Sequence, residues 1–127
     1  MSKILVVDDE LSVRNMVKDI IESDCHEVVV ALNGLEALNM CANTTFDLII
    51  TDIVMPEKNG IDLIMEVRQK YPDIPVIAIS GGGDITGRYD YLEIANLVGA
   101  KNIIKKPFTV NDIRSAVDSV LGVNDHV

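Results

Sequence analysis

Short apolar runs recur along the chain and alternate with longer segments in which apolar residues return every three or four positions. The runs are rich in Val and Ile and are apolar at consecutive positions, as is typical of strands buried on both faces of a sheet. They predict five strands, at residues 4–7, 28–31, 48–50, 76–79 and 103–104.

The segments between the runs have the apolar spacing of helices with one buried face. Their markers, in chain order, are Leu11, Met16, Val17, Ile20 and Ile21; Leu35, Leu38 and Cys41; Ile61, Ile64 and Val67; Leu92, Ala95 and Val98; and Ile113, Val117, Val120 and Leu121. Asn33-Gly34 and Asn59-Gly60 open the second and third segments, Gly99 can end the fourth, and Thr109 can cap the start of the fifth. The chain therefore contains five predicted helices.

This alternation predicts an α/β fold with a parallel sheet and helices on both faces. Because crossover connections are right-handed, few strand orders remain. We expect a five-stranded, doubly wound, flavodoxin-like sheet of order 2-1-3-4-5 with five helices. Functional groups of such sheets lie outside the carboxyl ends of the strands, so the loops after the strands are the place to look for chemistry.

Length and charge limit the classes of protein that the chain can represent. Its 127 residues fit one domain, with a core at 3–121 and a short polar tail at 122–127, and we expect no output domain. With 11 basic and 20 acidic residues, the net charge of −9 argues against nucleic acid as a partner, because phosphates would be repelled. The same charge argues against binding to an anionic membrane surface.

The sequence also bears on the compartment. No apolar stretch approaches the ~20 residues of a membrane span, and the first residues lack the parts of a signal peptide. The two cysteines, Cys25 and Cys41, are too few for a disulfide framework, so we expect a cytoplasmic protein. Cys41 lies on an apolar stripe and is expected in the core, whereas Cys25 and His26 have no second pair with which to bind a metal.

Acidic residues follow two of the predicted strands. Asp8 and Asp9 follow the first strand, and Asp52 follows the third, which is its neighbour in the expected order. Two carboxylates about 5 Å apart repel each other by roughly 3 kcal/mol at an effective dielectric constant of about 20. Either protonation of one acid or a bound cation relieves this repulsion. A divalent cation is the simpler solution, and Mg²⁺ suits one or two carboxylates together with a phosphate. Taken singly, Asp8 and Asp9 could form a solvated turn that caps a helix, and Asp52 could cap a strand end.

A hydroxyl and two lysines follow the remaining strands of this edge. Ser80 precedes a glycine run at 81–83, and Lys105 and Lys106 follow the fifth strand. A hydroxyl beside exposed backbone N–H groups suits an anionic oxygen, and one of the lysines would lie over the same edge. An aspartate acceptor, acidic metal ligands, a hydroxyl and a cation together favour phosphoryl transfer.

These residues resemble the receiver domain of bacterial two-component response regulators, in a stand-alone form like the chemotaxis regulators. The resemblance covers residues 3–121, and its markers are Asp8-Asp9, Asp52, Met55-Pro56 with Gly60, Ser80, and Lys106-Pro107-Phe108. It implies the same sheet order as the alternation of elements. It also implies a signalling switch rather than an enzyme, phosphorylated by a histidine kinase or a histidine phosphotransfer protein.

The resemblance implies a role for each acidic residue. Asp52 would be the phosphoacceptor, and Asp9 and Asp52 would bind Mg²⁺ together with the backbone carbonyl of Val54. Asp8 would act mainly through a metal-bound water.

The resemblance also implies how the site responds. Ser80 would close on the phosphoryl group, and Lys106 would pair with it, aimed inward by a cis Lys106–Pro107 bond. The surface of the fourth helix, fifth strand and fifth helix would then change shape, so that the protein binds a downstream protein or relays the phosphate.

Two departures from the family pattern affect these expectations. Many members carry an aromatic residue three positions before the lysine that corresponds to Lys106, and its inward swing accompanies activation. This chain has Ile103 there, which has no aromatic ring that could act as such a switch. The stretch from Ser80 to Lys106 is a few residues longer than usual, which predicts a mobile loop near 81–88 and a late start of the fourth helix. Gly82, in this loop, is expected to shield the phosphoryl group little from water.

Three other functions fit the same fold. An aspartate-nucleophile phosphatase typically has a second Asp two residues after the nucleophile, where this chain has Val54. A flavodoxin-like cofactor carrier needs a first loop rich in Ser, Thr and Gly, whereas the acidic residues at 8–10 would repel a phosphate. A receiver-like adaptor that is not phosphorylated is the third alternative, although every site residue of the family is present.

Overall fold

The chain alternates between strands and helices in a computed structural model that describes residues 2–53, 60–80 and 98–122. The strands are β1 (Lys3–Val7), β2 (Glu27–Ala31), β3 (Leu48–Asp52), β4 (Val76–Ser80) and β5 (Asn102–Lys105). The helices of the described residues are α1 (Leu11–Ser23), α2 (Gly34–Asn43), α3 (Gly60–Lys70) and α4 (Val110–Leu121). The predicted helix that is marked by Leu92, Ala95 and Val98 lies outside the described residues, except for Val98 itself.

The strands form one parallel five-stranded sheet in the order β2-β1-β3-β4-β5, which confirms the predicted order. Because all pairs are parallel, the carboxyl ends of the strands lie along one edge. β3 and β4 are longer than the apolar runs that predict them, and they end on Asp52 and Ser80. Two candidate site residues therefore belong to the sheet itself rather than to the loops after it.

Alternate residues of the strands supply two aliphatic clusters, one on each face of the sheet. In β1, Leu5 and Val7 pack into the cluster that includes residues of α2 and α3. Ile4 and Val6 pack into the cluster that includes residues of α1 and α4. Burial on both faces explains why consecutive strand positions are apolar. Cys41 belongs to the first cluster, as its place on the apolar stripe predicts.

The buried stripe of α1 differs from the apolar pattern of its sequence. Leu11 and Met16, which mark this helix in the sequence, are 60% and 44% exposed. The residues that α1 buries are Arg14, Val17, Ile20 and Ile21. A charged residue thus occupies the first buried position of the helix.

The helix ends follow the capping residues of the sequence. The side chain of Asn33 accepts a hydrogen bond from the Glu36 N–H at the start of α2. Thr109 and Asp112 form a reciprocal capping box at the start of α4. Among the residues that the structure describes, no helix is both long and apolar enough to cross a membrane.

Candidate functional site

Three carboxylates meet at the carboxyl edge of the sheet. Asp52 is the last residue of β3, and Asp8 directly follows β1, whose Val7 lies opposite Thr51. One carboxylate oxygen each of Asp8, Asp9 and Asp52 lies within 4.8 Å of the others. Asp8 and Asp52 are only 2% and 8% exposed, whereas Asp9 is exposed. The structure therefore brings together the three acids that the strand order predicts to meet.

Lys106 lies beside two of these acids. Its Nζ is 3.9 Å from Oδ2 of Asp8 and 3.7 Å from Oδ1 of Asp52. Its backbone N–H donates a hydrogen bond to the carbonyl of Ser80, and the Lys106–Pro107 bond is cis, as the resemblance implies. Lys105 is exposed to solvent. Of the two lysines, Lys106 is the one that reaches the carboxylates.

The site disfavours three negative charges. Burial and then the Asp8 carboxylate raise the pKa of Asp52 from 3.8 to about 6, against opposing effects of Lys106 and the Ile53 N–H. Burial also raises the pKa of Asp8, although the Glu10 N–H and Lys106 act in the other direction. Within the described part of the chain, the ammonium of Lys106 only partly neutralises the three carboxylates. A small divalent cation with oxygen ligands fits this set of donors.

Ser80 completes the described part of the site. It is the last residue of β4 and is buried, and the preceding Ile79 lies opposite Asp52 in the register of β3 and β4. Its hydroxyl therefore belongs to the strand end next to the phosphoacceptor candidate. Val54, with its backbone carbonyl, and the glycine run at 81–83 lie outside the described residues.

Residues 4–118 match the family model of the response regulator receiver domain. The chain belongs to this family. This receiver domain has three acidic residues, a hydroxyl and a lysine at one edge of its sheet.

Curated relatives of this receiver domain include transcriptional regulators. The probable transcriptional regulator ycf27 of Cyanophora paradoxa is 35% identical over 119 residues, which are 94% of this chain and 48% of that protein. The transcriptional regulatory protein CpxR of Escherichia coli is 33% identical over 121 residues, which are 95% of this chain and 50% of that protein. The chain therefore spans about half the length of these relatives.

Solved structures of similar proteins share the whole described fold. A response regulator receiver domain protein of Clostridium thermocellum has a TM-score of 0.85 at 31% identity, covering 96% of this chain and 95% of that chain. The chemotaxis response regulator CheY4 of Vibrio cholerae has a TM-score of 0.84 at 30% identity, covering 95% and 99%. The response regulator TrrA of Thermotoga maritima, in complex with Mg(2+)-BeF, has a TM-score of 0.82 at 30% identity, covering 95% and 100%.

Asp8 is held by hydrogen bonds that sequence reasoning did not anticipate. Its N–H donates to the carbonyl of Ala31, and its Oδ1 accepts from the N–H of Glu10 at 2.9 Å. Its carbonyl accepts from Nη1 of Arg14, also at 2.9 Å. The spacing of Arg14 from Val17 and from the following isoleucines is the sequence feature that could have identified it as a buried arginine.

Proposed function

We propose that this receiver domain accepts a phosphoryl group on Asp52 from a phosphohistidine of a histidine kinase or a histidine phosphotransfer protein, in a reaction that requires Mg²⁺. The observation that supports this proposal is the buried Asp52 carboxylate, grouped with Asp8 and Asp9 and paired with Lys106. A nucleophile, cation ligands and a fixed positive charge are the components that phosphoryl transfer needs.

The transfer exchanges one bond to phosphorus for another. A carboxylate oxygen of Asp52 forms a bond to phosphorus while the bond from phosphorus to the imidazole nitrogen breaks. The imidazole leaves with the electron pair of that bond. Lys106 carries its charge 3.7 Å from Asp52 Oδ1, where it would pair with an oxygen of the incoming group. The buried hydroxyl of Ser80 lies at the next strand end and would donate to another of these oxygens.

The acids would hold the cation that the reaction needs. Asp9 and Asp52 would bind Mg²⁺ directly and Asp8 mainly through a water, with the Val54 carbonyl as a further ligand by resemblance to the family. When bound, Mg²⁺ would neutralise the carboxylates and the phosphoryl oxygens that approach them. The complex of the relative TrrA with Mg(2+)-BeF supports this choice of metal.

We further propose that the domain acts as a switch and catalyses only its own phosphorylation and dephosphorylation. Its output surface would include β5 and α4 together with the predicted helix around residues 92–98, and it would bind a downstream protein or pass the phosphate on. Ile103 of β5 lies opposite Ala78 and packs against the core cluster of α2 and α3. An aliphatic side chain can change its packing there, but it has no hydroxyl with which to form new hydrogen bonds.

Intact mass spectrometry with acetyl phosphate and Mg²⁺ tests the proposal. We expect the wild type to gain the mass of one phosphoryl group, and we expect no gain in EDTA or in Asp52→Ala. A gain that persists in Asp52→Ala would contradict Asp52 as the acceptor. No gain in the wild type, even with a panel of phosphorylated histidine kinases and phosphotransfer proteins, would favour the adaptor alternative.

Replacing Lys106 with methionine is expected to slow phosphorylation. The change removes the ammonium beside Asp52 and Asp8, so the initial rate with acetyl phosphate should fall about tenfold or more. Lys105→Met makes the same change in net charge at the neighbouring exposed position and should leave the rate near that of the wild type. Equal rates for the two variants would show that Lys106 contributes only general charge.

A further inference from the structure

Arg14 is a charged residue on a helix stripe that is otherwise apolar. The other residues that α1 buries are Val17, Ile20 and Ile21, and Arg14 itself is 8% exposed. Its Nε has no hydrogen-bond partner in the described part of the chain. A buried N–H without a hydrogen-bond partner costs free energy, and an apolar side chain would fill the position without this cost. The presence of arginine therefore points to a role that packing does not explain.

The guanidinium of Arg14 holds the backbone between two of the site's acids. Its Nη1 donates a 2.9 Å hydrogen bond to the carbonyl of Asp8 in a buried setting. This carbonyl belongs to the planar peptide unit that joins Asp8 to Asp9. An anchor on the carbonyl therefore also fixes the N–H and Cα of Asp9, which is the atom from which the Asp9 side chain starts.

Two other hydrogen bonds hold this loop, but neither of them involves the Asp8 carbonyl. The Asp8 N–H donates to the Ala31 carbonyl, and Asp8 Oδ1 accepts from the Glu10 N–H. Glu10 is the N-cap residue of α1, but its side chain makes no capping hydrogen bond. Asp9 is exposed, so packing does not hold its carboxylate in place.

We infer that Arg14 is a positioning residue, which sets the Asp8–Asp9 peptide unit so that the Asp9 carboxylate converges with those of Asp8 and Asp52 on a divalent cation. The inference rests on the metal site of the proposed function. The change in Mg²⁺ affinity that this inference predicts for loss of Arg14 is opposite in sign to the change that charge alone predicts. Loss of a positive charge near the acids would by itself favour Mg²⁺, whereas loss of an anchor for Asp9 weakens Mg²⁺ binding.

Calorimetric titration with Mg²⁺ at fixed ionic strength separates these effects in the wild type, Arg14→Met and Arg114→Met. Arg114 pairs with Asp24, directly after the other end of α1, and its replacement makes the same change in net charge. The Kd for Mg²⁺ should rise about tenfold or more in Arg14→Met, as is typical when residues behind metal ligands are replaced. In Arg114→Met we expect an unchanged or slightly lower Kd. Unfolding in EDTA establishes that each variant is folded.

Each outcome bears on the inference separately from the proposed function. A Kd for Arg14→Met that equals or falls below the wild-type value overturns the positioning role and leaves the metal site standing. A wild type that does not bind Mg²⁺ overturns both.

If Arg14→Met does not fold, Arg14→Lys replaces it at unchanged net charge. Lysine is shorter and presents one ammonium instead of a planar fork, so we expect its Kd to rise about threefold or more. An unchanged Kd in Arg14→Lys overturns the inference.

Discussion

Replacing Asp52 with asparagine is expected to abolish phosphorylation and also to stabilise the metal-free protein at neutral pH. The amide is not a nucleophile for phosphorus in the way that a carboxylate is. Burial and the Asp8 carboxylate raise the pKa of Asp52 to about 6, so at pH 7.5 the fold must hold an unfavourable charge. Asparagine has the shape of the neutral acid. The free energy of unfolding in EDTA should therefore be higher in Asp52→Asn by up to about 3 kcal/mol.

The direction of the pKa shift fixes how this difference depends on pH. The folded protein binds the Asp52 proton more tightly than the unfolded chain does, so protonation stabilises the fold. This contribution is complete below pH 3.8 and is lost as the pH rises through about 6. Burial raises the pKa of Asp8 as well, but Asp8 is present in both proteins, so the difference between them reports mainly on Asp52. The wild type should therefore lose stability relative to Asp52→Asn between pH 4 and pH 7.5.

Urea unfolding of both proteins in EDTA, at several pH values across this range, measures the difference. Asp19→Asn, at an exposed position of α1, provides a control that removes one negative charge outside the site. Added Mg²⁺ should stabilise the wild type at pH 7.5 and stabilise Asp52→Asn less. A difference between Asp52→Asn and the wild type that is no larger at pH 7.5 than at pH 4 would contradict the raised pKa.

The fold and the meeting of the acids could be predicted because both follow from local pattern. Strands that are buried on both faces must be apolar at consecutive positions, and the right-handed crossovers leave few strand orders. Once β1 and β3 are neighbours, Asp8 and Asp52 have to meet at the same edge. The pairing of β1 with β3 is itself an expectation from the fold class, and the observed register confirms it.

The spacing of Arg14 could have indicated its burial, but its role depends on a hydrogen bond to the Asp8 carbonyl that spacing does not reveal. An arginine within a helix is normally read as exposed, and the apolar residues Leu11 and Met16, which are exposed, suggest a different buried stripe for α1.

The ends of β3 and β4 are also missed by the hydrophobic pattern. The apolar runs end before Asp52 and Ser80, although both residues still pair within the sheet. Polar residues at functional strand ends break the hydrophobic pattern that predicts the strand.

Replacing Gly60 with alanine is expected to destabilise the fold more than an ordinary core substitution. Gly60 is the first residue of α3, and its N–H donates to the carbonyl of Ile53, directly after Asp52. An added Cβ would collide with the carbonyl oxygen of Asp52 and would lie 2.6 Å from Cα of Ile53. Both atoms belong to the backbone, so no side-chain rotation relieves the contact. We expect a loss of about 3 kcal/mol or more, which is roughly a 10 °C fall in Tm.

Gly122→Ala is the matched control, since its Cβ meets nothing within 4 Å and its cost comes from a φ of 68° alone. That cost should be about 1 kcal/mol. Because relief of the Gly60 contact requires either α3 or the end of β3 to move, the folded Gly60→Ala protein should also be phosphorylated on Asp52 more slowly. Gly122→Ala should be phosphorylated at the wild-type rate. Equal stabilities for the two variants would mean that α3 can shift away from β3 at little cost, and that Gly60 does not hold Asp52 in place.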